Sequence, residues 1–192
     1  MKTKYKVWIY STAIIGILLI FTNSCEKDVV PPTVLAVGDN YQGGIIAYIL
    51  QANDPGYDAS TQHGIIAAES DQSSSMQWYN GSYVQTGAAA TILGTGNANT
   101  NMIVNVQGAG SYAAKLCADL VLNNYSDWYL PSKDELNKLQ INKIAIGGFA
   151  SNFYWSSSEM GNGSAWIQVF DTGNGVGYSK DGEFYVRAVR FF

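Results

Sequence analysis

The stretch Asp127-Trp-Tyr-Leu-Pro-Ser-Lys-Asp-Glu-Leu136 (DWYLPSKDEL) decides how the second half of the chain begins to fold. Pro131 disfavours a helical conformation at the residue before it, Leu130, so the entry to this stretch is expected to be extended. Ser132 and Glu135 have the spacing of a capping box, in which each side chain bonds the backbone N–H of the other residue. A helix is therefore predicted to begin at Ser132.

A second helix is predicted just upstream, after Gly110. Apolar side chains recur there at i, i+1, i+4, i+5, i+8 and i+9, which is one face of an amphipathic helix. These positions are Tyr112, Ala113, Leu116, Cys117, Leu120 and Val121.

The rest of the domain predicts β-strands. IIAYIL (45–50) and GIIAAE (64–69) have the composition of buried strands. MQWY and SYVQ flank Asn80-Gly81, a strong hairpin signal because a type I′ turn needs positive φ at both central residues. Four C-terminal segments separated by Gly, Asn and Asp-Gly turns predict an antiparallel meander: FYWSSSE, SAWIQVFD, VGYSK and EFYVRAVRFF. The expected fold class is α+β, with two helices packed on antiparallel strands and a C-terminal β-meander.

Two arginines lie three positions apart in the last of these strands. A strand has a side-chain period of two, so Arg187 and Arg190 are expected on opposite faces. At least one of them must then face solvent or be paired.

The N-terminus has the organisation of a secretory signal peptide. Three lysines precede an apolar run over residues 7–21, which is shorter than the ~20 residues of a membrane-spanning helix. Cys25 follows Ser24 where a lipoprotein signal places its lipid acceptor. Residues 1–24 are therefore predicted to be a signal peptide and Cys25 the lipid attachment site, with an uncleaved membrane anchor as the alternative.

Residues 25–37 are predicted to be the lipidated cysteine and a tether, and residues 38–192 a single folded domain. Pro31-Pro32 favours an extended spacer. The triplet Glu26-Lys27-Asp28 loosely resembles a tag that exports lipoproteins to the outer face of the outer membrane, although a solvated linker explains it equally well. The expected location is the cell envelope, as an outer membrane lipoprotein held by its lipid.

The charge of the chain argues against nucleic acid as a partner. Removal of the three N-terminal lysines from eleven Lys and Arg leaves eight basic against fifteen acidic residues, a formal net charge of −7. Neutralising phosphates requires clustered basic side chains, and the remaining eight form no run.

Several blocks together resemble one family, the C-terminal domain of the Lcl (legionella collagen-like) adhesins. Beside DWYLPSKDEL, they are GGIIAYIL, HGIIAAESDQSSSMQW, GTGNANTN, GSYAAKLCADL, YWSSSE and YVRAVRF. The resemblance covers about residues 38–192 and implies a C-type lectin-like fold with the first and last strands side by side. It also implies binding of sulfated glycosaminoglycans, but the negative charge and the lack of an upstream collagen-like repeat disfavour such ligands here.

No residue pattern predicts catalysis, a metal or a cofactor. Cys117 lies on an apolar helix face, where a free cysteine is typically buried and inert. His63 is the only histidine, and zinc sites need three or four ligands. Asp171 and its neighbours carry oxygens that suit calcium, but a turn explains them as well. GTGNANTN lacks the Lys-Ser/Thr of a phosphate-binding loop, so a turn leading into a helix is expected.

The tryptophans are the remaining candidates for a binding site. Trp128 and Trp155 are expected in the core. Trp166 shares a strand face with Gln168, opposite the apolar Ala165 and Ile167, and is the most exposed candidate of the four in the domain. Because aromatic rings stack on sugars and are enriched at binding surfaces, Trp166 and Gln168 are the predicted ligand-binding pair, with a core position of Trp166 as the alternative.

Three functional hypotheses follow from these observations. The first is a non-catalytic surface lipoprotein whose lectin-like domain recognises a glycan or a protein. The second is an enzyme on a formylglycine-generating-enzyme-like variant of the implied fold, and the third is a purely architectural envelope protein. A broad fold hosts many functions, so the fold alone does not choose between them.

Overall fold

The structure is a computed structural model, and it describes residues 34–192. The predicted signal peptide, the predicted lipid attachment at Cys25 and most of the tether lie outside the described residues. Residues Val34–Phe192 form one compact unit. Within this unit, no helix is long and apolar enough to cross a membrane.

The first sheet brings the two ends of the unit together. Its strands are β1 (Asn40–Tyr41), β2 (Gly44–Ile49), β3 (Gly64–Ala67) and β9 (Val189–Phe191). They lie in the order β1-β2-β3-β9, and every neighbouring pair is antiparallel. The two buried strands predicted from the sequence are confirmed as β2 and β3. The last strand lies beside β3, whereas the resemblance implied that it would lie beside the first strand.

The second sheet contains the remaining five strands. They are β4 (Ser73–Met76), β5 (Phe153–Gly161), β6 (Ser164–Val169), β7 (Gly175–Ser179) and β8 (Phe184–Val186). Their order is β4-β8-β5-β6-β7, so β5, β6 and β7 form the predicted antiparallel meander. β8 does not continue it, because it crosses to the other side of β5 and pairs there in parallel. The predicted meander is therefore right for three strands and wrong for the fourth.

The last predicted strand is in fact two strands, divided at Arg187 and Ala188. Arg187 is fully buried, and it donates to Asp71 Oδ1 at 2.7 Å and to the Ala68 carbonyl at 2.9 Å. These bonds satisfy the buried guanidinium and fix the point where the chain passes from one sheet to the other.

Arg190 is also buried and paired, so the sequence argument for at least one paired arginine is confirmed for both. Its Nε and Nη2 donate to the two carboxylate oxygens of Asp127 at 2.7 and 2.9 Å. The hydrogen bond from Arg190 holds the pKa of the Asp127 carboxyl below its usual value. The pair joins β9 to Asp127, the first residue of DWYLPSKDEL (127–136).

Four helices are present in the described unit, whereas the expected fold class had two, with a further helix expected after the GTGNANTN turn. They are α1 (Gly96–Gln107), α2 (Ala113–Ala118), α3 (Lys133–Ile141) and α4 (Lys143–Ile146). The capping box of α3 is confirmed in both directions. The predicted upstream helix is confirmed as α2, but it stops at Ala118, and Val121 is 72% exposed rather than buried on its face.

The sequence predicted that a helix follows the GTGNANTN turn but not how far α1 extends, because the buried side of α1 is not apolar. Its buried residues are Gly96, Asn99, Thr100 and Ile103, which have a helical spacing but are mostly small or polar. Glycine, Asn and Thr are also weak helix formers.

The predicted hairpin at Asn80-Gly81 is wrong. Gly81 has a positive φ of 80°, but Asn80 does not, so the type I′ geometry is not formed. The Asn80 side chain donates instead to the carbonyls of Gln107 and Ala109, at the end of α1. Residues 77–95 form a long irregular segment.

Two clusters of buried side chains form the core. One contains Trp78, Trp128 and Trp155 and packs under α1 and α2. The other includes Leu136 and Leu139 of α3 against β2 and β3. The prediction that Trp128 and Trp155 are core residues is confirmed, with exposures of 2% and 0%.

Candidate functional site

The two ligand-binding candidates, Trp166 and Gln168, lie on the same face of β6 and line one shallow groove. Ala165 and Ile167 alternate with them and are buried on the other face. The groove has a volume of about 260 Å³ and lies between the second sheet and α3. Its lining residues are Lys133, Asp134, Asn137, Trp166, Gln168 and Gly175.

Trp166 is the partly exposed tryptophan of the described unit. Its cross-strand partner is Gly177, and the Met160 side chain occupies the space that a side chain at Gly177 would take. Lys133 Nζ lies 4.8 Å from the centroid of the ring, within the range of a cation–π interaction. The groove thus has an aromatic surface at Trp166. The cation beside it, Lys133, is on a long, partly exposed side chain.

Gln168 has a different role from the one its position in the sequence suggests. It is only 2% exposed, and its Nε2 donates to Asn137 Oδ1 at 3.2 Å and to the Gly173 carbonyl at 2.8 Å. Both amide hydrogens are therefore used inside the protein. Gln168 therefore orients Asn137, which lines the groove. Asn137 is a further binding candidate. It could not be predicted from the strand pattern because it lies on α3.

The most polar buried site involves Glu159, the last residue of YWSSSE. Its carboxylate accepts hydrogen bonds from the backbone N–H groups of Thr86 and Gly87, at 2.9 to 3.0 Å. It also pairs with Lys180 Nζ at 2.5 Å. Lys180 is fully buried, donates to the Val84 carbonyl and lies 4.6 Å from the Trp78 ring centroid.

Every polar group of this Glu159–Lys180 pair has an internal partner, so the pair fastens residues 84–87 to the second sheet. A catalytic acid or base must be able to reach a substrate, and these two groups are closed off from the surface. Glu159 and Lys180 are 21 positions apart and share no local motif, so the sequence did not predict the pair.

Glu135 fastens the C-terminal end of the irregular segment. Its carboxylate accepts from the backbone N–H groups of Gly94 at 2.8 Å and Ser132 at 2.7 Å, with a longer bond from Gly96 at 3.5 Å. The residue is fully buried. Burial raises the pKa of the Glu135 carboxyl, although the backbone hydrogen bonds from Ser132, Gly94 and Gly96 oppose the shift.

These contacts explain the GTGNANTN segment. Its N–H groups at the start of α1 already bind a carboxylate from within the protein, where a phosphate-binding loop would bind its ligand. A Cβ added at Gly96 would overlap Glu135 Oε2 and Ser132 N, so the glycine is needed for this close approach. The prediction of a turn leading into a helix is confirmed.

The remaining candidates do not assemble into a reactive site. Cys117 is fully buried, and burial raises the pKa of its thiol, which disfavours the nucleophilic thiolate. His63 lies at the edge of β3, with its Nδ1 3.2 Å from the Phe192 carbonyl. Asp171 is exposed beside a turn. Within residues 34–192, no group of three or more His, Cys, Asp or Glu side chains is placed to hold a metal ion.

Comparisons with known proteins show a family and a solved structure of similar fold. The model of the Lcl C-terminal domain matches residues 68–190. A fimbrial protein from Bacteroides ovatus ATCC 8483 has a similar fold, with a TM-score of 0.52 and 13% sequence identity. The similarity covers 81% of this chain and 44% of the fimbrial protein, so the chain spans less than half of that neighbour's length. No curated protein matches the chain.

Proposed function

This chain belongs to the Lcl C-terminal domain family, and from that premise we propose that it is a non-catalytic surface lipoprotein whose domain recognises a glycan or a protein. The observation that carries the proposal is the Trp166 groove. It combines a partly exposed indole with amide, amine and carboxylate groups from Asn137, Lys133 and Asp134. Sites for small polar ligands commonly combine an apolar surface with a few placed polar groups.

A neutral or weakly charged sugar suits this groove best. The apolar face of a pyranose stacks on an aromatic ring, while its hydroxyl groups need both donors and acceptors at the rim. Asn137 and Lys133 supply donors, and Asp134 supplies an acceptor. Lys133 would move from the ring face to the rim when a sugar stacks there, since its long side chain has many rotamers.

The distribution of basic residues supports this preference over polyanions. Three of the seven Lys and Arg in residues 34–192 are buried: Lys180, Arg187 and Arg190. Of the others, Lys115 is paired with Asp119, and Lys138 lies over the Tyr48 ring. Few cations are then left to neutralise the sulfates of heparin or the phosphates of DNA.

The proposal includes a C-type lectin-like fold. The mixed α+β architecture and the position of the N- and C-terminal strands in one sheet support it. It also includes lipid attachment at Cys25 and an outer membrane location, which rest on the order of a basic segment, an apolar run and Ser24-Cys25 in the sequence.

Glycan-array binding of residues 34–192 tests the recognition function, because this unit holds both core clusters and every described element. We expect binding to neutral glycans, and Trp166→Ala should weaken it about tenfold or more, a loss of roughly 1.4 kcal/mol. Tyr57→Ala is the matched control, since Tyr57 is also an exposed aromatic residue (43%) and lies outside the groove. Equal loss in both variants, or salt-sensitive retention on heparin in place of glycan binding, would contradict the proposal.

Labelling cells with an alkyne-tagged fatty acid tests the anchor. The full chain should incorporate the label, and Cys25→Ala should lose it. Equal labelling of the two forms would remove the lipoprotein assignment and leave the recognition function unaffected.

A further inference from the structure

The strand β7 is an unusually open sheet edge. All five of its residues are exposed, and no other strand within residues 34–192 pairs with its outer side. Its pairing with β6 is regular over five residue pairs, whereas β2–β3, β4–β8 and β5–β6 each contain a register shift. Proteins usually protect such edges with proline, charged side chains, bulges or short strands. GVGYS has none of these.

The backbone of β7 directs alternate residues outward. Val169 N–H donates to the Asn174 carbonyl at 2.8 Å, and Lys180 N–H donates to the Gly163 carbonyl at 3.0 Å. Because hydrogen-bonded positions alternate along an antiparallel pair, Val176 and Tyr178 also point their N–H and C=O groups toward β6. The outward groups then belong to Gly175, Gly177 and Ser179. Of these, the Ser179 carbonyl already accepts from Gly182 N–H.

The sequence of β7 is complementary to itself in the antiparallel direction. With Gly177 at the centre, Gly175 lies opposite Ser179 and Val176 lies opposite Tyr178. Small residues thus meet on the face that carries the Trp166 groove, where the half-exposed Met160 side chain lies over Gly177. An aliphatic and an aromatic side chain meet on the other face, which is a favourable cross-strand pair. Val176 and Tyr178 are 40% and 47% exposed in the single chain, so pairing would remove apolar surface from water.

We propose that β7 pairs antiparallel with β7 of a second copy of this chain, about a two-fold axis at Gly177. The outward groups then form a hydrogen-bonded pair between the two Gly177 residues. Two further bonds join each Ser179 N–H to the Gly175 carbonyl of the other copy. The interface is isologous and closed, as in most homodimers, and it joins two five-stranded sheets into one of ten strands.

Nearby charges are arranged to favour this pairing. A Cβ added at Gly175 would lie 3.4 Å from Lys133 Cε, so Lys133 lies at the start of the strand. The exposed Asp181 lies just beyond its end. Antiparallel pairing brings the start of one strand to the end of the other, and therefore brings Lys133 toward the aspartate of the second copy. Within the strand itself there is no charge to repel its equivalent.

The oligomeric state of residues 34–192 tests the proposal, measured by analytical ultracentrifugation up to roughly 1 mM, where weak association is still detected. The wild type should dimerise. Val176→Lys/Tyr178→Lys should be monomeric, because like charges would then lie opposite each other in both cross-strand pairs. Val176→Glu/Tyr178→Lys removes the same apolar side chains but places opposite charges together, so it should recover dimerisation. Circular dichroism checks that both double variants remain folded.

Amide hydrogen exchange locates the interface. In the dimer, the N–H groups of Gly177 and Ser179 should be protected. In the Val176→Lys/Tyr178→Lys variant these groups should exchange fast, while the N–H groups of positions 176 and 178 stay protected by β6. Three outcomes would overturn the self-pairing. They are a monomeric wild type, a dimer of the double-lysine variant, and protection of β7 only after a foreign strand-forming peptide is added. Failure of glycan binding would leave it intact, because neither measurement uses a glycan.

Discussion

Two buried carboxylates hold the irregular segment 77–95 at two points, and they do so with different electrostatics: Glu159 binds its middle at Thr86 and Gly87, and Glu135 binds its C-terminal end at Gly94. Both accept hydrogen bonds from backbone N–H groups, including that of a glycine in the segment, Gly87 for Glu159 and Gly94 for Glu135. Glu159 has a buried cation beside it, Lys180. Glu135 accepts mainly from backbone N–H groups, has no ion-pair partner within residues 34–192, and lies beside the buried Tyr129 hydroxyl, which forms no hydrogen bond of good geometry.

Glu159 and Glu135 thus illustrate two ways to hold an irregular segment, which has no helix or strand of its own, against the rest of the domain. An ion pair compensates the buried charge but makes each partner depend on the other. A carboxylate held by backbone donors alone needs no second charged residue, but burial then favours its protonated form. The two attachment points of the segment should therefore respond differently to mutation and to pH.

Removing the cation should have the largest effect. Lys180→Met leaves the Glu159 carboxylate buried without its counter-charge, and the expected loss of unfolding free energy is about 3–5 kcal/mol. Chemical denaturation of residues 34–192 measures it. The double variant Lys180→Met/Glu159→Gln should lose less than the two single variants together, since no unpaired charge remains. A single-variant loss below about 1 kcal/mol would give this pair the energy of an exposed salt bridge.

Crowding the Glu135 end should have a smaller effect. Gly96→Ala places a Cβ against Glu135 Oε2 and Ser132 N, and such overpacking is expected to cost about 1–3 kcal/mol. Gly161→Ala is the control, because a Cβ there has no atom within 4 Å. Equal stability of the two variants would mean that the segment moves aside freely.

Glu135 should also make the stability depend on pH. Its pKa is raised in the folded state by burial, so the protonated form favours folding. This contribution is fully present below the unfolded value of about 4.3 and is lost as the pH rises through the folded pKa. The unfolding free energy of the wild type should therefore fall relative to that of Glu135→Gln as the pH is raised above that value. Parallel curves for the two proteins would show that Glu135 does not titrate differently on folding.

The smallest effect is expected at Tyr129. Its hydroxyl is buried beside the Glu135 carboxylate and forms no hydrogen bond of good geometry, so Tyr129→Phe should change the unfolding free energy by no more than about 0.5 kcal/mol in either direction. Thermal denaturation of the two proteins is sufficient to detect a larger change. A loss above about 1 kcal/mol would indicate that the hydroxyl bonds Glu135, and the two carboxylate sites would then be more alike than the structure shows.

The sequence was informative where local rules decide the structure. The capping box at Ser132 and Glu135 and the strands β2 and β3 depend on residues close together in the chain, and they were predicted correctly. The Asn80-Gly81 hairpin failed because the side chain of Asn80 bonds the end of α1, a contact that turn statistics do not include.

Long-range contacts decided what the sequence did not reveal. The split of the last strand depends on Arg187 meeting Asp71, more than a hundred residues earlier. In the candidate site, the shared face of Trp166 and Gln168 followed from the strand period. The burial of Gln168 and the arrival of Asn137 followed from the packing of α3, which no alternation pattern encodes.

The pairing of Trp166 with Gly177 fixes a distance once two β7 strands join. Each Trp166 lies one strand away from a Gly177 at the two-fold axis, so the two indoles are separated by three interstrand spacings, roughly 14 Å. Both grooves open on the same face of the joined sheet. A polymer with repeating units would meet two sites at a set spacing, and its second contact would form at a high effective concentration. Weak single-site binding would thus become strong avidity for long, repetitive chains, and short fragments of the same chains would be released.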